Sequence, residues 1–232
     1  WLHRCRWHPT CVELLDHSMK PSLLISLELL LLLACAATML LIQFPLPILP
    51  LFLIAWGSLR LRHLRWRDVG LRRPAKWLPT IGLALLIGIG YQLMDTFLIA
   101  PLLQRLTGQA IDLSQFNFLQ GSLPALFLFL ILTWTEAAFI EEMFFRGYLF
   151  NRLTDLFGNK RVGIVISLVV SSLIFGAAHA YQGVTGVLDT FLAGLVLGLL
   201  YLSSRRNLWL PILTHGIIDT FGFLLIFAGL FS

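Results

Sequence analysis

Residues 123–150 read LPALFLFLILTWTEAAFIEEMFFRGYLF. The first half of this stretch has no charge, and the second half sets Glu136, Glu141, Glu142 and Arg146 into an otherwise apolar and aromatic run. About 20 mostly apolar residues cross a bilayer, so this stretch is long enough to span one and to project past it. Working outward, runs of the same kind occupy about 22–43, 45–59, 79–103, 162–180, 186–203 and 208–231. Together they predict an all-α fold, a polytopic transmembrane helix bundle of about seven spans. The second run is short and carries Pro45, Pro47 and Pro50, so a break is expected at its start.

Composition points the same way. Of 232 residues, 58% are hydrophobic and 12% charged, and mean hydropathy is +0.84. Soluble domains hold about 45–50% apolar and about 25% charged residues, so a water-solvated core is excluded. The hydrophobic runs follow one another too closely to leave room for a soluble domain. The 18 Phe and 7 Trp suit lipid-facing surface and the headgroup belt.

The net charge of +5 is gathered in alternate loops. One loop holds Arg60, Arg62, Arg65, Arg67, Arg72, Arg73 and Lys76; the next such loops hold Arg152, Lys160 and Arg161, then Arg205 and Arg206. The intervening loops carry only Arg105, and Lys20 precedes the first run. This alternation follows the positive-inside rule and predicts a cytoplasmic N-terminus and an outside C-terminus. It does not form the continuous basic groove that nucleic acid requires, so no nucleic-acid partner is expected. The expected surroundings are the lipid bilayer itself.

Residues 1–21 form a polar leader with His3, Cys5, His8 and Cys11. Translation is expected to begin at Met19, which would leave the residues before it outside the natural chain. The three cysteines have no short pairing pattern, which argues against a disulfide framework or a zinc knuckle. The first apolar run exceeds a signal-peptide core and is read as a retained span. Three segments follow: the leader at 1–21, N-terminal spans with a basic cytoplasmic loop at 22–119, and a catalytic-type core at 120–232.

An ionisable side chain in the bilayer core costs about 2.5–3.5 kcal/mol on insertion scales and marks a candidate functional site. Such residues here are Glu28, Asp95, Glu136, Glu141, Glu142, Arg146, Asp189 and Asp219, with His179 and His215. Glu142 and Arg146 are i, i+4 neighbours in the favourable acid-first order. Glu141 lies about 100° around an ideal helix from Glu142 and has no cation at matching spacing, so it is free for chemistry. Glu136 is off that face and is read as a supporting or structural acid. Phe175 and His179 share one helix face, beside the small residues Gly176, Ala177 and Ala178 that admit a neighbouring helix. His215 and Asp219 repeat the i, i+4 pattern, with Gly216 and Gly222 beside them. Glu28, Asp95 and Asp189 show no partner in the sequence and are set aside.

A rise of about 1.5 Å per residue puts His215 about 12 Å, His179 about 27 Å and Glu141 about 22 Å from the cytoplasmic ends of their helices. The three meet only if the fourth and fifth helices overhang the cytoplasmic surface, and such an overhang is expected.

Glu141-Glu142-Met-Phe-Phe-Arg146 resembles the EExxxR motif of the CPBP family, which comprises type II CAAX prenyl endopeptidases and bacteriocin-processing proteins. Phe175-x-x-x-His179 is similar to that family's FxxxH motif. His215-x-x-x-Asp219 resembles its HxxxN/D motif, with Asp where the eukaryotic members usually carry Asn. The resemblance covers roughly residues 120–225 with all three motifs in order. It implies an intramembrane endopeptidase that hydrolyses a peptide bond with a glutamate-activated water. In that scheme Glu141 is the base and His179 helps hold the water. His215 and Asp219 would stabilise the oxyanion or position the water, and Glu142 with Arg146 would brace the site. Phe175 supports the imidazole. A desolvated carboxylate makes a stronger base near neutral pH, and an oxyanion in low dielectric needs donors already in place.

The resemblance leaves two questions open. Glu141, His179 and His215 would be the ligands if a zinc ion were used, yet the sequence has no His-Glu-x-x-His, and a metal-free reaction with no required cofactor is preferred. The substrate is a peptide or membrane protein, with prenylated CAAX proteins as one class. Two competing functions are weighed: a non-proteolytic scaffold or bacteriocin self-immunity protein of the same fold, and a transporter using the acids as a proton relay. The lack of an internal repeat disfavours the transporter.

Overall fold

A computed structural model describes residues 21–41 and 48–230. The described residues are helical, with no strand among them. The helices are α1 (Pro21–Leu41), α2 (Ile48–Leu61), α3 (Trp77–Thr107), α4 (Leu123–Phe157), α5 (Arg161–Ala178), α6 (Ala180–Ser203) and α7 (Trp209–Phe227). The last five are long and apolar enough to cross a membrane, and α1 and α2 contain shorter apolar helices. The expected polytopic bundle of about seven spans is the observed architecture. The leader, the proposed start at Met19 and the break expected around Pro45 and Pro47 lie outside the described residues.

The chain divides into two compact units, one ending at Arg65 and the other beginning at Trp66. In the first, Glu28 on α1 accepts hydrogen bonds from the Ser58 hydroxyl and the Arg62 guanidinium of α2. Glu28 therefore has partners that its own helix did not reveal, and its isolation in the sequence reading is corrected. The pairing offsets the cost of holding a carboxylate in an apolar helix.

The second unit is built around α7, which packs against α3, α4 and α6, while α5 and α6 form a tight antiparallel pair. Helix α4 is 35 residues long, about 50 Å at α-helical rise and longer than the ~30 Å hydrocarbon layer. Its first turns expose Leu123, Phe127, Leu128 and Ile131, a surface suited to lipid. Residues Glu142 to Phe150 are all buried. Part of α4 is π-helical, over Thr133–Glu141 and Met143–Leu149. The wider π turn carries i→i+5 hydrogen bonds, so the 100° step assumed between neighbouring glutamates is altered here. A third π segment, Asp95–Ile99, interrupts α3.

The basic loops of this unit converge at one end. Arg72 Nη2 donates to the Arg205 carbonyl at 2.9 Å, Asn207 Nδ2 to the Arg72 carbonyl at 2.8 Å, and Arg206 Nη1 to Asn151 Oδ1 at 3.0 Å. At the other end, the backbone N–H of Asp112 donates to the Gln182 carbonyl at 3.0 Å. Asp112 also accepts from the Ser114 N–H at 2.9 Å, and the Ser114 hydrogen bonds hold its carboxyl below the usual range.

Candidate active site

Helix α4 supplies Glu141, Glu142 and Arg146, the end of α5 supplies Phe175 and His179, and α7 supplies His215 and Asp219. Glu142 sits at the centre and is fully buried. Its Oε1 accepts from Arg146 Nη1 at 2.6 Å and from His215 Nδ1 at 2.9 Å. The partnership with Arg146 is the one its spacing implied. The contact with His215 ties α4 to α7 and has no local signal, since 73 residues separate the two.

Arg146 is also buried. Its Nη2 donates to the Gly194 carbonyl of α6 at 3.1 Å, and its guanidinium lies 4.4 Å over the Phe175 ring. A cation held against an aromatic face in a dry site gains from the ring quadrupole. Phe175 meets both histidines edge-on, with centroids 5.1 Å from His179 and 5.9 Å from His215. The side chains of the three motifs thus meet through this one ring, so the sequence motifs converge in space.

Hydrogen-bond partners set the state of each imidazole. His179 Nδ1 lies 2.9 Å from the Phe175 carbonyl oxygen. A carbonyl only accepts, so Nδ1 carries the hydrogen and Nε2 keeps its lone pair. The Phe175 ring was expected to support His179, and its polar anchor is the Phe175 backbone. His215 is placed differently, with Nδ1 on Glu142 and Nε2 facing Asp219 Oδ2 at 3.4 Å. Both nitrogens face carboxylate oxygens, which suits an imidazolium donating from each.

Glu141 contrasts with its neighbour. Its Oε2 is buried with no hydrogen-bond partner, while His215, Asp219, Glu142 and Arg146 all lie within electrostatic reach. Glu136 takes no part in the cluster's hydrogen bonds and is half-buried.

Small residues let the helices approach. A Cβ on Gly176 would lie 2.6 Å from the Val187 carbonyl oxygen of α6, and one on Gly216 would lie 2.8 Å from the Trp134 ring of α4. These glycines close α5 onto α6 and α7 onto α4, the approach expected of small residues in membrane helices. Gly222 is looser, with only Gln92 Oε1 at 4.0 Å.

Of the residues expected to hold zinc if it were used, His215 has Nδ1 on Glu142 and Nε2 3.4 Å from Asp219 Oδ2, and His179 has Nδ1 on the Phe175 carbonyl. Among the described residues no group of three or more His, Cys, Asp or Glu could hold a metal ion.

Sequence reasoning passed over three features. The Gly194 carbonyl is a backbone acceptor and leaves no side-chain signal. Tyr181 stacks 5.7 Å from His179 and lies within electrostatic reach of Glu141 and Asp219; its position two residues after His179 was the available clue. Asp95 and Asp189, set aside as lacking partners, lie within hydrogen-bonding reach of each other between α3 and α6. That reading is corrected.

Comparison with known proteins gives one family. The model described as type II CAAX prenyl endopeptidase Rce1-like matches residues 123–221. No curated protein and no solved structure matches the chain. The matched segment holds all three motifs and is similar to that family, in line with the CPBP resemblance. The chain is a multi-pass integral membrane protein with a CAAX-protease-type segment.

Proposed function

From the Rce1-like segment as premise, we propose that the protein is an intramembrane endopeptidase in which Glu141 activates water without a metal. The observation that carries the reading is that Glu141, buried with an unpartnered Oε2, takes part in none of the cluster's hydrogen bonds, whereas Glu142 is held through Oε1 by Arg146 and His215. A base must be free to take a proton, and burial strengthens a carboxylate for that task.

In this reading the water sits between Glu141 and the Nε2 lone pair of His179. Glu141 takes one proton from it, and the hydroxide oxygen bonds to the scissile carbonyl carbon. The carbonyl electrons move onto oxygen, where His215, held at Nδ1 by Glu142, donates its Nε2–H to the oxyanion in place of its 3.4 Å contact with Asp219. Collapse breaks the C–N bond, and Glu141 returns its proton to the leaving amine. Arg146 orients Glu142 through the bond to its Oε1, so its role is positioning.

The substrate is a peptide or membrane protein, and a prenylated C-terminal peptide is the first class to test because the matched family acts on CAAX sequences by description. The alternation of basic loops supports a cytoplasmic N-terminus and an outside C-terminus. Proteomic comparison of membranes carrying the native protein and Glu141→Gln tests the function. A protein or peptide that accumulates uncleaved with the variant is expected. Identical profiles from two equally folded proteins favour the scaffold or self-immunity reading.

A further inference from the structure

Asp95 and Asp189 form an acidic pair deep in the helices, apart from the motif cluster. Asp95 lies about 18 Å along α3 from Thr107, and Asp189 about 14 Å along α6 from Ala180, at 1.5 Å per residue. Both positions fall well inside an apolar span. Their carboxyl groups lie within hydrogen-bonding reach of each other. A bond between them needs one proton, because two carboxylates are both acceptors. The pair then retains one negative charge. Among the described residues no Lys, Arg or His forms an ion pair with either acid.

Three oxygens at this place are left without partners. Asp95 Oδ1, Asp189 Oδ1 and the Tyr91 hydroxyl are each buried with no hydrogen bond. Tyr91 is 6% exposed, sits one turn before Asp95, and interacts electrostatically with both acids. Buried polar atoms without partners are rare and call for an explanation. The backbone at Asp95 is the π segment Asp95–Ile99, a feature found often at functional sites. Gln92 nearby is buried but donates to Thr96 at 3.3 Å, so it is not part of the unsatisfied set.

We propose that Tyr91, Asp95 and Asp189 form an intramembrane binding site for a small monovalent cation of sodium type. The donor set is all oxygen, which suits hard cations. One positive charge neutralises the pair with its shared proton in place and satisfies three oxygens together. A second proton would also neutralise the pair but would serve only one of the three oxygens as a donor, whereas a cation is shared by all three. A divalent ion would leave excess positive charge unless the shared proton departed and the Asp95–Asp189 bond broke. Bound there, the cation joins α3 to α6, which also meet nearer the end of α3 through the Thr107–Thr185 hydroxyl contact at 2.6 Å. Binding to the folded state alone raises stability with ligand concentration.

The test uses the full-length protein in detergent, with thermal unfolding followed as sodium chloride replaces choline chloride at constant ionic strength. A saturable rise in Tm of several degrees is expected. Asp189→Asn, which keeps the size and a hydrogen bond to Asp95, is expected to remove the sodium-dependent rise while unfolding cooperatively in choline. Tyr91→Phe keeps both acids and is expected to raise the half-saturating sodium concentration several-fold. Equal Tm values in sodium and choline overturn the proposal, as does an unchanged sodium response in Tyr91→Phe. A response to calcium chloride without one to sodium overturns the monovalent assignment.

Discussion

Glu142 Oε1 accepts from His215 Nδ1 at 2.9 Å and from Arg146 Nη1 at 2.6 Å. One oxygen therefore joins donors from two helices at a fully buried position. Adjacent glutamates in one motif consequently do different work: Glu142 is engaged through Oε1 in holding helices and imidazole in place, and Glu141 takes part in none of these hydrogen bonds.

Removing the charge at Glu142 is expected to be a stability lesion. Breaking a buried ion pair by deleting one partner costs about 3–5 kcal/mol, because the remaining charge is left uncompensated. In Glu142→Gln, Arg146 and His215 both lose their carboxylate. A Tm fall of many degrees in detergent is expected, with activity lost in parallel. A variant as stable as the native protein would remove Glu142 from the brace.

Glu141→Gln is expected to behave in the opposite way. No hydrogen bond of Glu141 is broken, so unfolding should stay close to native. Cleavage of a substrate peptide should fall by about 10²–10⁴-fold, the usual contribution of a positioned general base. Purified native and variant protein, compared for both Tm and turnover, separate the two glutamates. Full activity in Glu141→Gln would end the proposed mechanism.

What the sequence could show follows from the range of each signal. Span positions were legible because hydropathy is a local sum: α5, read as 162–180, is observed at Arg161–Ala178, and α6 and α7 agree within a few residues at most ends. The Glu142–Arg146 and His215–Asp219 partnerships were legible because four residues bring side chains onto one face. The Glu142–His215 bond, the Asp95–Asp189 pair and the Glu28–Arg62 contact join different helices, and no spacing rule reaches that far. The π turns were hidden for another reason, since a shift in backbone hydrogen bonding carries no residue type with it. Acceptance by the Gly194 and Phe175 carbonyls is likewise independent of side chain.

The glycines on the two closing interfaces offer a graded test. In Gly176→Ala the new Cβ meets the Val187 carbonyl oxygen, a backbone atom that cannot rotate away. Overpacking of this kind costs about 1–3 kcal/mol, and the shift of α5 would move His179. A lower Tm together with reduced turnover is expected. Gly82 on α3 has nothing within 4 Å of a built Cβ, so Gly82→Ala should leave both unchanged. Equal behaviour of the two variants would show that the α5–α6 approach does not position the histidine.

Chelation distinguishes the proposed water activation from a zinc-bound one. A zinc ion on Glu141, His179 and His215 needs a lone pair from each imidazole. His179 offers Nε2, because its Nδ1 hydrogen is on the Phe175 carbonyl. His215 keeps Nδ1 on Glu142, and its Nε2 lies 3.4 Å from Asp219 Oδ2. Ligating zinc through that nitrogen would take from it the hydrogen that the proposed mechanism donates to the oxyanion. In the metal-free mechanism turnover survives incubation with EDTA or phenanthroline followed by gel filtration, and added zinc does not raise it. Activity lost to the chelator and restored by stoichiometric zinc would overturn that mechanism.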